Sequence, residues 1–103
     1  MEINHTLVPS KDKLQAAKFF AEIMGLEVGE IGHFAPVRIS DNFIMDFANA
    51  DDVSLWYPEK GHFARMHYAF KVNDAEFDDI DDIFGRVKKG IKVRIGTRPS
   101  DVI

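Results

Sequence analysis

The sequence predicts an α+β chain, a strand–helix–strands unit followed by a shorter copy of itself. Three observations carry this prediction. Residues 65–72 alternate apolar with polar or small side chains at the period of a pleated strand, residues 3–8 read as a second short strand, and each holds one histidine, His67 and His5. Each is followed by a segment whose apolar residues recur at three- and four-residue spacing, the mark of an amphipathic helix. Between them lie short apolar runs divided by Gly, Asp and Asn, which supply the backbone angles of tight turns.

In chain order, residues 1–8 form the first strand, with Ile3, His5 and Leu7 on one face and Asn4, Thr6 and Val8 on the other. Pro9 stops the pairing for want of an N–H, and Ser10 offers an N-cap oxygen to a helix over 11–24. Ala16, Phe20 and Ile23, with Ala17 and Phe19 beside them, make its buried stripe; Gly25 and Leu26 provide a Schellman ending. Strands follow over 28–31, 34–39 and 43–48, with turns at Gly32-His33 and Ser40-Asp41-Asn42. In the last of them Phe43, Met45 and Phe47 share one face and Ile44, Asp46 and Ala48 the other. Residues 49–61 read as loop, with a short extended piece over 53–57, and mark the boundary between halves. The second helix begins at Asn73 or Asp74 with a capping box to Glu76, buries Phe77, Ile80, Phe84 and Val87, and ends at Gly90 before a strand over 91–95. Its acids lie in the first half and Arg86, Lys88 and Lys89 in the last turn, as the helix dipole favours.

The chain of 103 residues, 46% hydrophobic, suits one domain or two half-domains on a shared core, and its nine Phe supply much of the apolar area. With no cysteine there is no disulfide framework and no thiolate chemistry. The start lacks a signal-peptide pattern and no apolar run approaches membrane-spanning length, so a cytoplasmic protein is expected. A formal net charge of −4 argues against nucleic acid as a partner.

Five stretches taken together resemble the vicinal oxygen chelate superfamily of glyoxalase I, bleomycin- and fosfomycin-resistance proteins and extradiol dioxygenases. They are residues 3–9 (INHTLVP), 17–26 (AKFFAEIMGL), 32–37 (GHFAPV), 44–47 (IMDF) and 67–72 (HYAFKV). The resemblance implies a βαβββ module over about 1–61 and an incomplete second βαβ(ββ) module over about 62–103. These would form a single domain with a mixed, curved sheet around a cavity and the helices on its outer face. It also implies His5 and His67 as metal ligands. The family's third ligand is a carboxylate on the last strand of the second module, before which this chain ends. Asp46, on the closing strand of module one, is the local substitute.

Imidazole suits a borderline divalent metal such as Zn, Fe, Ni or Mn, and two histidines with one carboxylate leave positions open for substrate. The activity the resemblance implies is that of a metal-dependent lyase or dioxygenase acting on a small molecule with vicinal oxygens, the metal serving as Lewis acid. The alternatives are a metal-free drug-binding module of the bleomycin-resistance kind, or a shortened domain without activity. Phe34, Phe47, Trp56 and Tyr57 are candidates to line the ligand cavity. His33 and His62 read as surface residues and the acids of 74–82 as a solvated helix face. A sheet that stops early exposes an edge, so a homodimer is expected, with or without exchange of modules.

Overall fold

The chain divides into two compact units, Met1–Met66 and His67–Ile103. The computed structural model describes residues 1–52 of the first and 68–87 of the second. The first unit holds β1 (His5–Ser10), α1 (Lys13–Met24), β2 (Ala35–Ser40) and β3 (Phe43–Asn49); the second holds α2 (Asp74–Val87). The sheet order is β1-β3-β2, with β3 parallel to β1 and antiparallel to β2. This is the mixed α+β arrangement that the sequence pattern predicts.

β1 runs through Pro9, which pairs in register with Ala48, and ends at Ser10 opposite Asn49. The expected stop at Pro9 does not occur, and the ladder explains why. The Ile44 amide donates to the Asn4 carbonyl at 3.1 Å, so even-numbered residues aim their backbone groups at β3. The Pro9 nitrogen therefore faces away from β3, and its missing N–H removes nothing from that ladder.

The cap of α1 is Asp12, not Ser10. An Asp12 carboxylate oxygen accepts from the Leu14 and Gln15 amides, each at 3.1 Å. The Lys13 amide donates to Asn49 Oδ1 at 2.8 Å and the Ala16 amide to the Asp12 carbonyl at 3.0 Å, so the amides of residues 13–16 are all satisfied. Ser10 instead donates its hydroxyl to the Ala48 carbonyl at 3.1 Å, sealing β1 to β3. At the other end Gly25 adopts φ 68° and ψ 33°, and the Leu26 amide reaches the Ala21 carbonyl at 2.8 Å, as a Schellman ending requires. The buried side of the helix centres on Ala17 and Ala21 with Ile23, while Ala16 and Phe20 are half-buried. Small residues at the contact let the helix sit close on the sheet.

The strand expected over 28–31 shrinks to a single bridge between Val28 and Val37. Pro36 is the cause. Its carbonyl accepts from the Gly29 amide at 2.8 Å, so this side of β2 faces residues 28–30, and there proline has no N–H to return. β2 and β3 pair as expected, with an irregularity between Arg38 and Ser40 before the turn at Asp41-Asn42. Lys13 Nζ donates to the Gly32 and His33 carbonyls at 2.8 and 2.9 Å, tying the bend ahead of β2 to the start of α1. The core of this unit is Ala17, Ala21, Ile23, Ala35, Val37, Met45, Phe47 and Ala48.

In the second unit, Tyr68 to Val72 alternate half-buried and exposed as a strand would, but no strand is formed among these described residues. α2 begins with the expected capping box: Asn73 Oδ1 accepts from the Glu76 amide at 2.8 Å and Glu76 Oε1 from the Asn73 amide at 3.1 Å. Phe84 is buried and Phe77 and Ile80 are half-buried, while Asp82 and Arg86 form an exposed pair at 2.9 Å on the opposite side. No described helix is long and apolar enough to cross a membrane. The expected pieces over 53–57, 65–67 and 91–95, the helix end at Gly90, His62 and the Val87 side chain lie outside the described residues.

The capping assignment is testable. Asp12→Ala should lower the unfolding free energy by about 1 kcal/mol, the usual worth of an N-cap side chain. Ser10→Ala should leave helix content unchanged. Urea unfolding followed by circular dichroism reads both.

Candidate functional site

Residues directly opposite one another on paired strands project to the same side of the sheet. The observed register therefore sorts the first unit into two faces. Thr6–Met45–Val37 and Val8–Phe47–Ala35 form rows on one face, where the Phe47 ring meets Phe20 of α1 at a centroid distance of 5.5 Å. His5–Ile44–Arg38 and Leu7–Asp46–Pro36 form rows on the other. The candidate ligands His5 and Asp46 thus lie on adjacent strands, one row apart, on the face away from α1.

His5 is exposed, with Nδ1 3.0 Å from Asn4 Oδ1. Where this contact is a hydrogen bond to the amide oxygen, Nδ1 is the donor and Nε2 is the nitrogen left for a metal. A metal-binding imidazole is commonly held this way, its other nitrogen donating to a neighbouring oxygen. Asp46 is half-buried between Leu7 and Pro36, and its carboxylate makes no hydrogen bond or ion pair among the described residues. A carboxylate in that setting works against stability unless something else binds it.

The aromatic candidates separate. Phe47 is 5% exposed beneath α1 and belongs to the core, on the face opposite His5 and Asp46. Phe34 is half-buried in the bend that Lys13 holds, its ring 4.7 Å from that of His33. Trp56, Tyr57 and His67 lie outside the described residues.

The sequence reading passed over Arg38. The register puts it in the same row as His5, and the strand-turn-strand pattern over 34–48 already held the signal. It lines an open groove of about 740 Å³ that runs between residues 25–30 and the β2–β3 hairpin. Among the described residues no three His, Asp or Glu side chains are grouped to hold a metal. His5 and Asp46 supply two donors of a type that suits a borderline divalent ion.

The described elements define an α+β module with a sheet covered by a helix on one side, and solved structures of similar fold are found. The chain is similar to the oxidase ChaP-H2, with 33% identity and a TM-score of 0.69 over 84% of this chain and 61% of that one. It is similar to the oxidase ChaP-H1, with 31% identity and a TM-score of 0.70 over 85% and 64%. A protein from the mobile metagenome of a Halifax Harbour sewage outfall, integron cassette protein HFX_CASS4, shares the fold at 16% identity, with a TM-score of 0.60 over 84% and 71%. The chain spans less than two thirds of the length of either oxidase. No protein-family model matches the sequence, and no curated protein does.

The two faces predict opposite mutational outcomes in chelator-treated protein. Phe47→Ala should lose about 3 kcal/mol or more, as emptied aromatic core sites do. Asp46→Asn should keep the unfolding midpoint or raise it, since it removes an unpaired charge between apolar neighbours. Thermal and urea unfolding of the two variants check both.

Proposed function

We propose that this chain is a vicinal-oxygen-chelate-type module whose helix-free sheet face binds a divalent metal and a small molecule carrying adjacent oxygens. The observation that carries the reading is the placement of His5 and Asp46 on one face, with His5 Nε2 available and the Asp46 carboxylate unpaired among the described residues. The similarity to two oxidases supports an oxidative chemistry over an isomerisation.

His5 and Asp46 would hold the metal, and the family resemblance adds His67 as a second imidazole. When bound, the metal would polarise the substrate oxygens as a Lewis acid. The chain's own residues do the rest. Asn4 Oδ1 would accept the Nδ1 proton of His5 and orient the ring with Nε2 toward the metal. Leu7, Pro36 and Ile44 surround the donors with apolar surface, which lowers the local dielectric and strengthens each polar contact to a bound ligand.

The test is metal binding by the full chain purified without chelator, by elemental analysis and by titration with Zn, Ni, Mn and Fe(II). About one equivalent is expected, with His5→Ala and His67→Ala each weakening affinity about tenfold or more, on the scale seen when a metal site loses a supporting group. Failure of all four metals to bind, or unchanged affinity in both histidine variants, would sink the reading and leave a metal-free binding module.

A further inference from the structure

We infer that Arg38 is the substrate-recognising cation of this face, and that the groove beside it takes a largely apolar molecule carrying a single carboxylate. The inference rests on reading the His5–Asp46 face as a small-molecule site, and it adds the class of molecule.

Arg38 and His5 occupy one cross-strand row with Ile44 between them, two strand spacings or about 10 Å apart along the backbone. A molecule lying along that row would meet the candidate metal donors at one end and a guanidinium at the other. Between the ends the surface is apolar. Ile44 and Pro36 belong to both the row pair and the groove, and Leu26, Val28 and Ile39 extend the apolar lining.

The guanidinium is oriented but only partly used. Its Nη1 donates to the Asp41 carbonyl at 3.0 Å and to the Ser40 carbonyl at 3.4 Å, across the hairpin turn. Nε and Nη2 have no partner among the described residues, and no carboxylate pairs with Arg38 there. Lys13, by contrast, has its ammonium engaged by two carbonyls. A planar fork with open donors matches the two oxygens of a carboxylate, which a lysine point charge would not.

The rim also selects against highly charged ligands. Glu27, Glu30 and Asp41 line the same groove and offset the positive field of Arg38. With three carboxylates to one guanidinium the lining is net negative, so no long-range attraction draws an anion in, a polyphosphate would be repelled most strongly, and a monoanion depends on direct hydrogen bonds to Arg38. A monoanion bound through direct hydrogen bonds, with its body on the apolar lining, fits both features.

The test uses biphenyl-4-carboxylate and its neutral isostere biphenyl-4-carboxamide, titrated calorimetrically into the full chain and followed by amide chemical shifts. The carboxylate should bind about tenfold more tightly than the carboxamide, as a charge-assisted pair does. Shifts should concentrate at Val28, Ile39 and Ile44. Arg38→Gln should abolish the preference while leaving metal binding unchanged, and Arg38→Lys should keep only part of it. His5→Ala should retain the preference, so that a failed metal centre is told apart from a failed Arg38 subsite. Equal affinity for both probes in the wild type, no measurable carboxylate binding, or a preference that survives in Arg38→Gln would overturn the proposal.

Discussion

The double pairing of β3 is the constraint on which the first unit depends. Parallel to β1 and antiparallel to β2, the strand sets the register of both neighbours and so decides which side chains share a row. Because side chains alternate along a strand, a slip of one residue would exchange the two faces wholesale. Met45 and Phe47 under α1 make that slip costly, since either ring or thioether would move from core to solvent. The packing that buries Phe47 is thus the same constraint that turns Asp46, one residue before it, to the other face. Core and candidate site are two readings of one alternation.

The placement of backbone polar groups accounts for the irregular parts. Two prolines sit in the sheet, and each directs its nitrogen away from β3. At Pro9 this preserves the parallel ladder. At Pro36 it limits the neighbouring segment to one carbonyl bond from Gly29 and one bridge, opening the space that the groove occupies. Close approach is part of this: a Cβ at Gly29 would lie 3.2 Å from Pro36 Cγ, tighter than side chains ordinarily pack. The N-terminus of α1 is closed by Asp12 and by Asn49 at the end of β3, which couples the helix start to the central strand.

The site follows from this frame. The His5 imidazole, the Asp46 carboxylate, which is unpaired among the described residues, and the partly engaged Arg38 guanidinium stand on one side of a sheet whose other side is filled by a helix. None of the three is needed by the core. The Asp46 carboxylate, half-buried and without a partner among the described residues, works against stability in a small domain, and the proposed site is centred on it for that reason. Two oxidases, each longer than this chain, are similar to it in fold.

Local signals were sufficient for the elements whose causes are local. The Asn73–Glu76 capping box, the left-handed Gly25, the β2–β3 turn and the two faces of β3 all depend on residues within a few positions of one another, and each was legible in the sequence. Tertiary structure decided whatever depended on a distant partner. Ser10 is a plausible cap by sequence, but the Ala48 carbonyl claims its hydroxyl and Asp12 takes the helix. Pro9 ends a strand by local rule, yet the side on which β3 lies makes its missing N–H harmless. Phe47 could have lined a cavity until α1 was seen to cover it, and Arg38 acquired meaning only when the register set it across from His5. Propensity and period act along the chain, whereas the partner of a hydrogen bond and the far side of a sheet are chosen across it.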